Sequence, residues 1–591
     1  MSFEDRPRAF PAFTRWLPGS ERPRPASHRH LGPLHAEEAV AFTLLLRRKP
    51  ANSPSHETHQ LPNLLPFSPQ AILESNGADP AELEAASAFF EQRGMTVIEA
   101  HAGRRTLSVL GTAARVNAIF GIALQRYWDP RATEFLKSSE PQSHRGFDGA
   151  VYLPAELAET VVAIVGLDDR FLGAPRGVAV SDAAGAAYPH VAAVLNNLKL
   201  PNTAAYSETI GILAAQAPGA AGVTPCYLRS DIDHLYFANL PPGYRTRPLS
   251  ILDVQLTVGS TTYRNDPAHV TAITGLEEAN NATLELTQNI ATSVTVAQGA
   301  RVNVYFTEAT EQGYLQFLTR VLVPAREKQP TVLSLSLGLY EAGDASSRSA
   351  SGSPGHIVDE LYGEIAALGI SVFISVCNWN TGKWRLLAAP NLAPAAAAPL
   401  QAGLPGFMAN SSAVASAVLS AASQQIAAGG VGDHHELDPA QSGHAIPDLG
   451  AAVAYSGFFV NGISYSYAGT SCAAAFYAGM TAMLRSAFGN GLGFLSSVLL
   501  QLRSAAPAKR IKDDQDAPGV SGNTSAIRAD NDDAGAAPSF VMERAMERPG
   551  PFRKLWNWAL ERFQSTCASI GIVQGGFLLR KKPLSLGSSG I

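Results

Sequence analysis

In YAGTSCAAAF, residues 467–476, Ser471 stands between a Gly-Thr pair and a run of small residues. A serine placed there is either a nucleophile at a helix N-terminus or that helix's cap. Unpaired amides and the positive end of the helix dipole favour the negative charge that develops in acyl transfer, and the same position also favours a capping hydroxyl. A nucleophilic serine needs a base. His356, His434, His435 and His444 lie in Gly-, Asp- or Ser-rich surroundings that read as surface loop, so they form no evident arrangement. Glu285, in LELTQNIATSV, occupies a stretch with helical spacing that puts Asn289 one turn later on the same face. Taken alone, such a glutamate is a solvated residue. Asn378 follows the apolar run ISVFISV, and the carboxyl ends of parallel strands are where α/β folds assemble sites, so its amide could polarise a carbonyl.

The elements that must position these groups follow from hydrophobic patterning. From residue 223 onward, SILDV (250–254), RVNVYF (301–306), TVLSLSL (331–337) and ISVFISV (370–376) read as short apolar strands. GYLQFLTRVL and HIVDELYGEIAALG between them have helical spacing, so buried parallel strands joined by helices, an α/β domain over 223–591, are expected. Ala473, Ala474 and Ala475 let the helix after Ser471 pack closely. Residues 25–185 read as an α+β module. In it, AVAFTLLLRRKP is a strand whose solvated end is marked by Arg47 and Arg48, and Asp79, Pro80 and Gly94 cap, start and stop a helix before a strand at 95–99. RRTLSVLGTAARVNAIFG repeats strand, turn and helix. Residues 1–24 are an extension, and 186–222, rich in Ala, Pro and Gly, read as a linker.

Composition excludes several classes of function. A chain of 591 residues is too long for one core, and a net charge of −5 without concentrated Lys and Arg offers no phosphate-binding face, so no nucleic-acid partner is expected. No stretch of eighteen apolar residues free of breakers occurs, so no transmembrane segment is expected. Cys226, Cys377, Cys472 and Cys567 are scattered without C-x-x-C spacing, which argues against a disulfide scaffold or a cysteine zinc site. Reduced thiols and a start, MSFEDRPRAF, without an apolar signal segment lead to a cytoplasmic expectation, with export only by an unconventional route. Asp513 and Asp514 open an Asp-rich stretch that reads as a solvated loop, with a calcium loop as the alternative.

Several blocks, in order, resemble one family. WLPGSERPRP, HLGPL, GADPAELEAASAFFEQRGMTV, RRTLSVLGTAARVNAIFG, HRGFDGAVYLPAEL and VVAIVGLDDR are similar to the propeptide of the sedolisin or kumamolisin family of serine-carboxyl peptidases. AQGARVNVYF, TVLSLSLG, EIAALGISVFISV, HAIPDLG and GTSCAAAF resemble its subtilisin-like catalytic domain. The resemblance implies Ser471 as nucleophile, Glu285 as base, Asn289 where an Asp steadies that base and Asn378 where an Asp helps build the oxyanion hole. Asp253 matches a Glu that extends the carboxylate network. Asp513 and Asp514 fit the first half of the family's calcium site, but Ser565 stands where the second half has a carboxylate, so at most weak Ca²⁺ binding is expected and no other cofactor. With amides at two of four site positions, the resemblance implies a weak serine-type endopeptidase, made with an inhibitory propeptide and without an acid optimum, acting on a polypeptide. The alternative is an inactive pseudopeptidase that keeps its prodomain and binds a protein partner.

Overall fold

The computed structural model describes residues 15–22, 29–49, 76–129, 133, 142–172, 178–181, 191, 204–217, 225–239, 249–336, 353–375, 418–424, 449–452, 454–468 and 470–488.

An N-terminal unit forms first along the chain. The strands of its main sheet are β1 (Ala39–Leu46), β2 (Thr96–His101), β3 (Thr106–Thr112) and β4 (Val161–Val165), and its two longer helices are α1 (Pro80–Glu91) and α2 (Ala113–Phe120). The strands pair antiparallel in the order β2-β3-β1-β4. The expected helix signals operate. Asp79 accepts the Ala81 N–H at 2.8 Å, Pro80 takes the first helical position, and Gly94 turns the chain with φ +70°. Val40, Phe42, Leu44 and Leu46 face this unit's own core, where Phe42 meets Phe90 and Phe120 edge-on.

The larger domain contributes β5 (Val178–Ser181), β6 (Thr209–Gln216), β7 (Ser250–Val258), β8 (Thr261–Tyr263), β9 (Arg301–Glu308), β10 (Val332–Leu335), β11 (Ser371–Ser375), β12 (Val418–Gln424), β13 (Leu449–Ala452), β14 (Ala454–Val460) and β15 (Ile463–Ala468). An eight-stranded sheet runs β8-β7-β9-β6-β10-β11-β12-β13, parallel except at the β7–β8 edge. Strands β5, β15 and β14 make a small antiparallel sheet. Helices α4 (Asn281–Val296) and α7 (Thr470–Phe488) share one apolar layer with Val302, Val304 and Phe306 of β9. On the other side, α5 (Glu311–Leu322) and α6 (Pro354–Ala367) pack with Tyr305, whose side chain alternates to that face. The α/β expectation therefore holds, with buried strands covered on both faces.

Two local readings are corrected. The stretch read as linker contains β6, a central strand paired with both β9 and β10. Buried on both faces, TIGILAAQ lacks the alternation that would have separated it from its Ala-rich surroundings. Arg48 is not at a solvated end. It bonds Glu360 at 3.1 Å and Glu364 at 2.6 Å on α6, and Arg105 lies 3.6 Å from the same Glu364. The N-terminal sheet is seated on α5 and α6, with Gln312 donating to Thr43 at 2.9 Å and Gln316 to Ser108 at 3.1 Å. Leu45 joins the apolar layer of those two helices. Strand β1 is thus apolar apart from Thr43 because it is covered on both sides.

Candidate functional site

Helix α4 starts where Asn280 accepts the Thr283 N–H at 2.8 Å, and every residue from 282 to 296 is buried. Two of its polar side chains find partners: Thr283 accepts the Cys226 N–H at 3.2 Å, and Gln288 donates to Thr292 at 3.0 Å. Helix α7 lies against it. The small residues do what their size allows, since Ser293 Oγ donates to the Ala475 carbonyl at 3.3 Å. A Cβ placed on Gly479 would come within 2.7 Å of Val296 Cβ and 2.9 Å of the Ser293 carbonyl oxygen. The far end of α7 is anchored by Arg485, which bonds Glu208 at 2.9 Å and the Gly369 carbonyl at 3.0 Å.

This packing brings Ser471 and Glu285 together from positions far apart in sequence. Helix α7 already begins at Thr470, and Ser471 Oγ accepts no backbone N–H among the described residues, so it does not act as a cap. Both side chains are buried, Glu285 at 4 % and Ser471 at 2 % exposure. Burial pushes the Glu285 carboxyl up to about 8, and the nearby Ser471 hydroxyl pulls the other way. No hydrogen bond of normal geometry joins the pair: Ser471 Oγ and Glu285 Oε2 both lack a partner among the described residues. The two groups are close enough to influence one another but not engaged, as catalytic partners often are before substrate arrives.

The other expected site residues are distributed differently. Asn289 is buried one turn after Glu285, but its Nδ2 donates to Ser336 Oγ at 2.6 Å, just past the carboxyl end of β10, and its Oδ1 has no partner among the described residues. Asp253, on β7, accepts the Tyr227 hydroxyl at 2.7 Å. Its carboxyl is raised by burial and held back by Tyr227 and Asn265, a network that does not include Glu285. Asn378, Asp513, Asp514 and Ser565 lie outside the described residues. Among the described residues, no group of three or more His, Cys, Asp or Glu side chains could hold a metal ion. The residues that sequence reasoning missed are Tyr465 and Tyr467, whose only signal is the Tyr-Ser-Tyr alternation of a strand. Tyr465 donates to the Leu284 carbonyl at 2.8 Å.

The close approach at Gly479 is open to test. Gly479→Ala adds about 1 kcal/mol of helix propensity, but forcing a methyl against a β-branched side chain and a backbone oxygen costs about 1–3 kcal/mol. We expect a lower thermal midpoint by circular dichroism, because the two helices pack directly against each other at this position. An unchanged midpoint would show that the helices part freely.

Residues 27–170 match the family described as pro-kumamolisin, activation domain. Over 542 residues the chain is 29 % identical to tripeptidyl-peptidase sed5 of Aspergillus fumigatus, covering 82 % of this chain and 88 % of that one. Over 347 residues it is 24 % identical to kumamolisin of a Bacillus species, covering 58 % and 57 % respectively. Pseudomonas sedolisin, a serine-carboxyl proteinase, is similar in structure over 54 % of this chain and 86 % of its own, with 17 % identity and a TM-score of 0.34, a likeness too remote to bear on the chemistry. The cytoplasmic expectation is corrected, because the cysteines on which it rested are buried and are no evidence of a reducing compartment. Cys226 and Cys472 are 0 % exposed and form no disulfide, and Cys472 donates its thiol to the Tyr467 carbonyl at 3.6 Å, so both are packed core residues and carry no information about a reducing compartment. Among the described residues, no helix is long and apolar enough to cross a membrane.

Proposed function

The chain belongs to the sedolisin/kumamolisin family of serine-carboxyl peptidases, with a pro-kumamolisin activation domain ahead of a subtilisin-like α/β domain, and from that premise we propose that it is a serine-type endopeptidase made as a zymogen. Ser471 is the nucleophile and Glu285 the base that takes its proton. The observation that carries the reading is the buried meeting of this alcohol and this carboxyl, with no charged side chain among the described residues acting on the pair. In the reaction, Ser471 Oγ attacks the peptide carbonyl as its proton passes to Glu285, and the same proton then leaves with the amine. The first amides of α7 and the Asn378 side chain are the donors assigned to the oxyanion. An amide always carries donor hydrogens, whereas a carboxyl donates only when protonated. Asn289 has the place of the supporting carboxylate but turns its donor to Ser336.

A polypeptide is the proposed substrate. With both reacting atoms buried, the intact chain is read as a closed form, with its N-terminal unit seated on α5 and α6 across the sheet from the pair. The second reading, an inactive scaffold that keeps its prodomain and binds a protein partner, is favoured by one observation, the missing hydrogen bond between Ser471 and Glu285. Intact mass followed over time between pH 5 and pH 9.5 separates the two. Truncation that occurs in the natural chain and is absent in Ser471→Ala is the expected result. Unchanged mass in both at every pH, together with no turnover of an added fluorogenic peptide, would leave only the scaffold.

A further inference from the structure

Strand β15 turns two tyrosines towards α4. Tyr465 and Tyr467 are two residues apart and so share one face of the strand. Tyr465 shows where that face lies, because its hydroxyl donates to the carbonyl of Leu284, the residue before Glu285. Tyr467 is 0 % exposed, and its phenolic oxygen makes no hydrogen bond of normal geometry among the described residues. Burial holds this phenol well above its ordinary range, the neighbouring Glu285, Cys472 and Tyr465 push it the same way, and the Asn281 side chain, near enough to act as a hydrogen-bonding group, opposes them. Asn281 and Glu285 are one turn apart on α4, so Tyr467 lies along the stripe that carries the carboxyl. A buried hydroxyl without a partner is unfavourable by itself and calls for a reason.

We propose that Tyr467 is a positioning residue for Glu285: its phenol donates to the second carboxylate oxygen once that group ionises, filling the place left by Asn289, whose amide is turned to Ser336. This rests on the reading of Glu285 as the base. One carboxylate oxygen then serves Ser471 and the other is held, which fixes the rotation of the carboxylate about its own bond. An O–H donor to the charged form also favours that form. The remaining titratable groups around α4 are otherwise occupied or neutral. On helix α3 (Arg229–Asn239), Asp231 accepts the N–H groups of Asn461 and Gly462 at 2.7 and 3.1 Å, and Asp233 is paired with Arg229 at 2.9 Å. Glu208, before β6, is paired with Arg485. Cys472 on α7 is buried and donates to the Tyr467 carbonyl at 3.6 Å, and burial holds the Tyr455 phenol on β14 well above its ordinary range.

The test reads the carboxyl itself. In the full chain, the infrared carboxyl band that disappears in Glu285→Gln is followed from pH 5 to pH 10, in the natural protein, in Tyr467→Phe and in Tyr455→Phe. The midpoint is expected to rise by about one pH unit in Tyr467→Phe and to stay in place in Tyr455→Phe. Peptide hydrolysis by Tyr467→Phe should fall about tenfold at pH 7.5, recover at higher pH and keep its KM. Equal midpoints in natural protein and Tyr467→Phe, or equal shifts in both variants, would overturn the assignment. Should Tyr467→Phe fail to fold, 3-fluorotyrosine in place of Tyr467 keeps the shape with a stronger donor. A lower midpoint then supports the assignment, and an unmoved one overturns it. The infrared midpoint needs no turnover, so a natural chain without hydrolysis sinks the peptidase reading while the infrared result alone decides this one.

Discussion

Peptide hydrolysis that depends on Ser471 is expected to fall about tenfold for each pH unit below the Glu285 midpoint of about 8, hence roughly a thousandfold between pH 8 and pH 5. Only the carboxylate can take the serine proton. Burial is the larger influence on this carboxyl and favours its neutral form, and the opposing pull of Ser471 does not overcome it. In a site with linked carboxylates, a shared proton can keep the pair competent in acid. Here the residue one turn on is an amide bonded to Ser336, and Asp253 belongs to a separate network with Tyr227. Initial rates on a fluorogenic peptide give the profile directly, and log kcat/KM should climb with unit slope to a plateau above about pH 8. A maximum in acid would mean that Glu285 shares its proton with a carboxyl after all.

Removing that same carboxyl should make the fold more stable, increasingly so as pH rises. The folded pKa of Glu285, about 8, lies above its ordinary value of 4.5. Between those two values the folded chain holds a proton that the unfolded chain has released, so stability is complete below pH 4.5 and declines until pH passes about 8. The slope is about 1.4 kcal/mol per pH unit, which bounds the loss at about 5 kcal/mol. Glu285→Gln keeps the shape and cannot ionise. Denaturant unfolding of the two proteins should therefore agree to within about 1 kcal/mol at pH 4.5 and diverge by several at pH 8, with the variant more stable while Ser471-dependent hydrolysis is lost. Parallel stability curves across this range would show that the carboxyl is hydrated in the folded chain. A base that burdens its own fold is a familiar trade between stability and function.

How much of this was legible beforehand differs from residue to residue. Asp79, Pro80 and Gly94 act locally, through caps and backbone angles, and the helix they bound is where the sequence places it. The strands 301–306 and 370–376 were legible for a similar reason, as apolar runs between turn signals. Strand β6 was not, because a central strand buried on both faces shows no alternation among Ala-rich neighbours. Arg48 was misplaced because its partners, Glu360 and Glu364, lie more than 300 residues later.

The amino-acid sequence by itself determined the layered α/β architecture and the N-terminal module, and it singled out the alcohol and the carboxyl proposed as partners, since each is written in local pattern or in ordered blocks that resemble one family. Only the tertiary structure decided that Glu285 and Ser471 are both buried, that Asn289 turns its amide to Ser336 and that Tyr467 is buried on the face of β15 from which Tyr465 reaches Leu284. Those outcomes depend on how closely α4 and α7 approach at Gly479 and on where β15 lies against them. Burial and side-chain direction are properties of that packing, and no spacing along the chain encodes them.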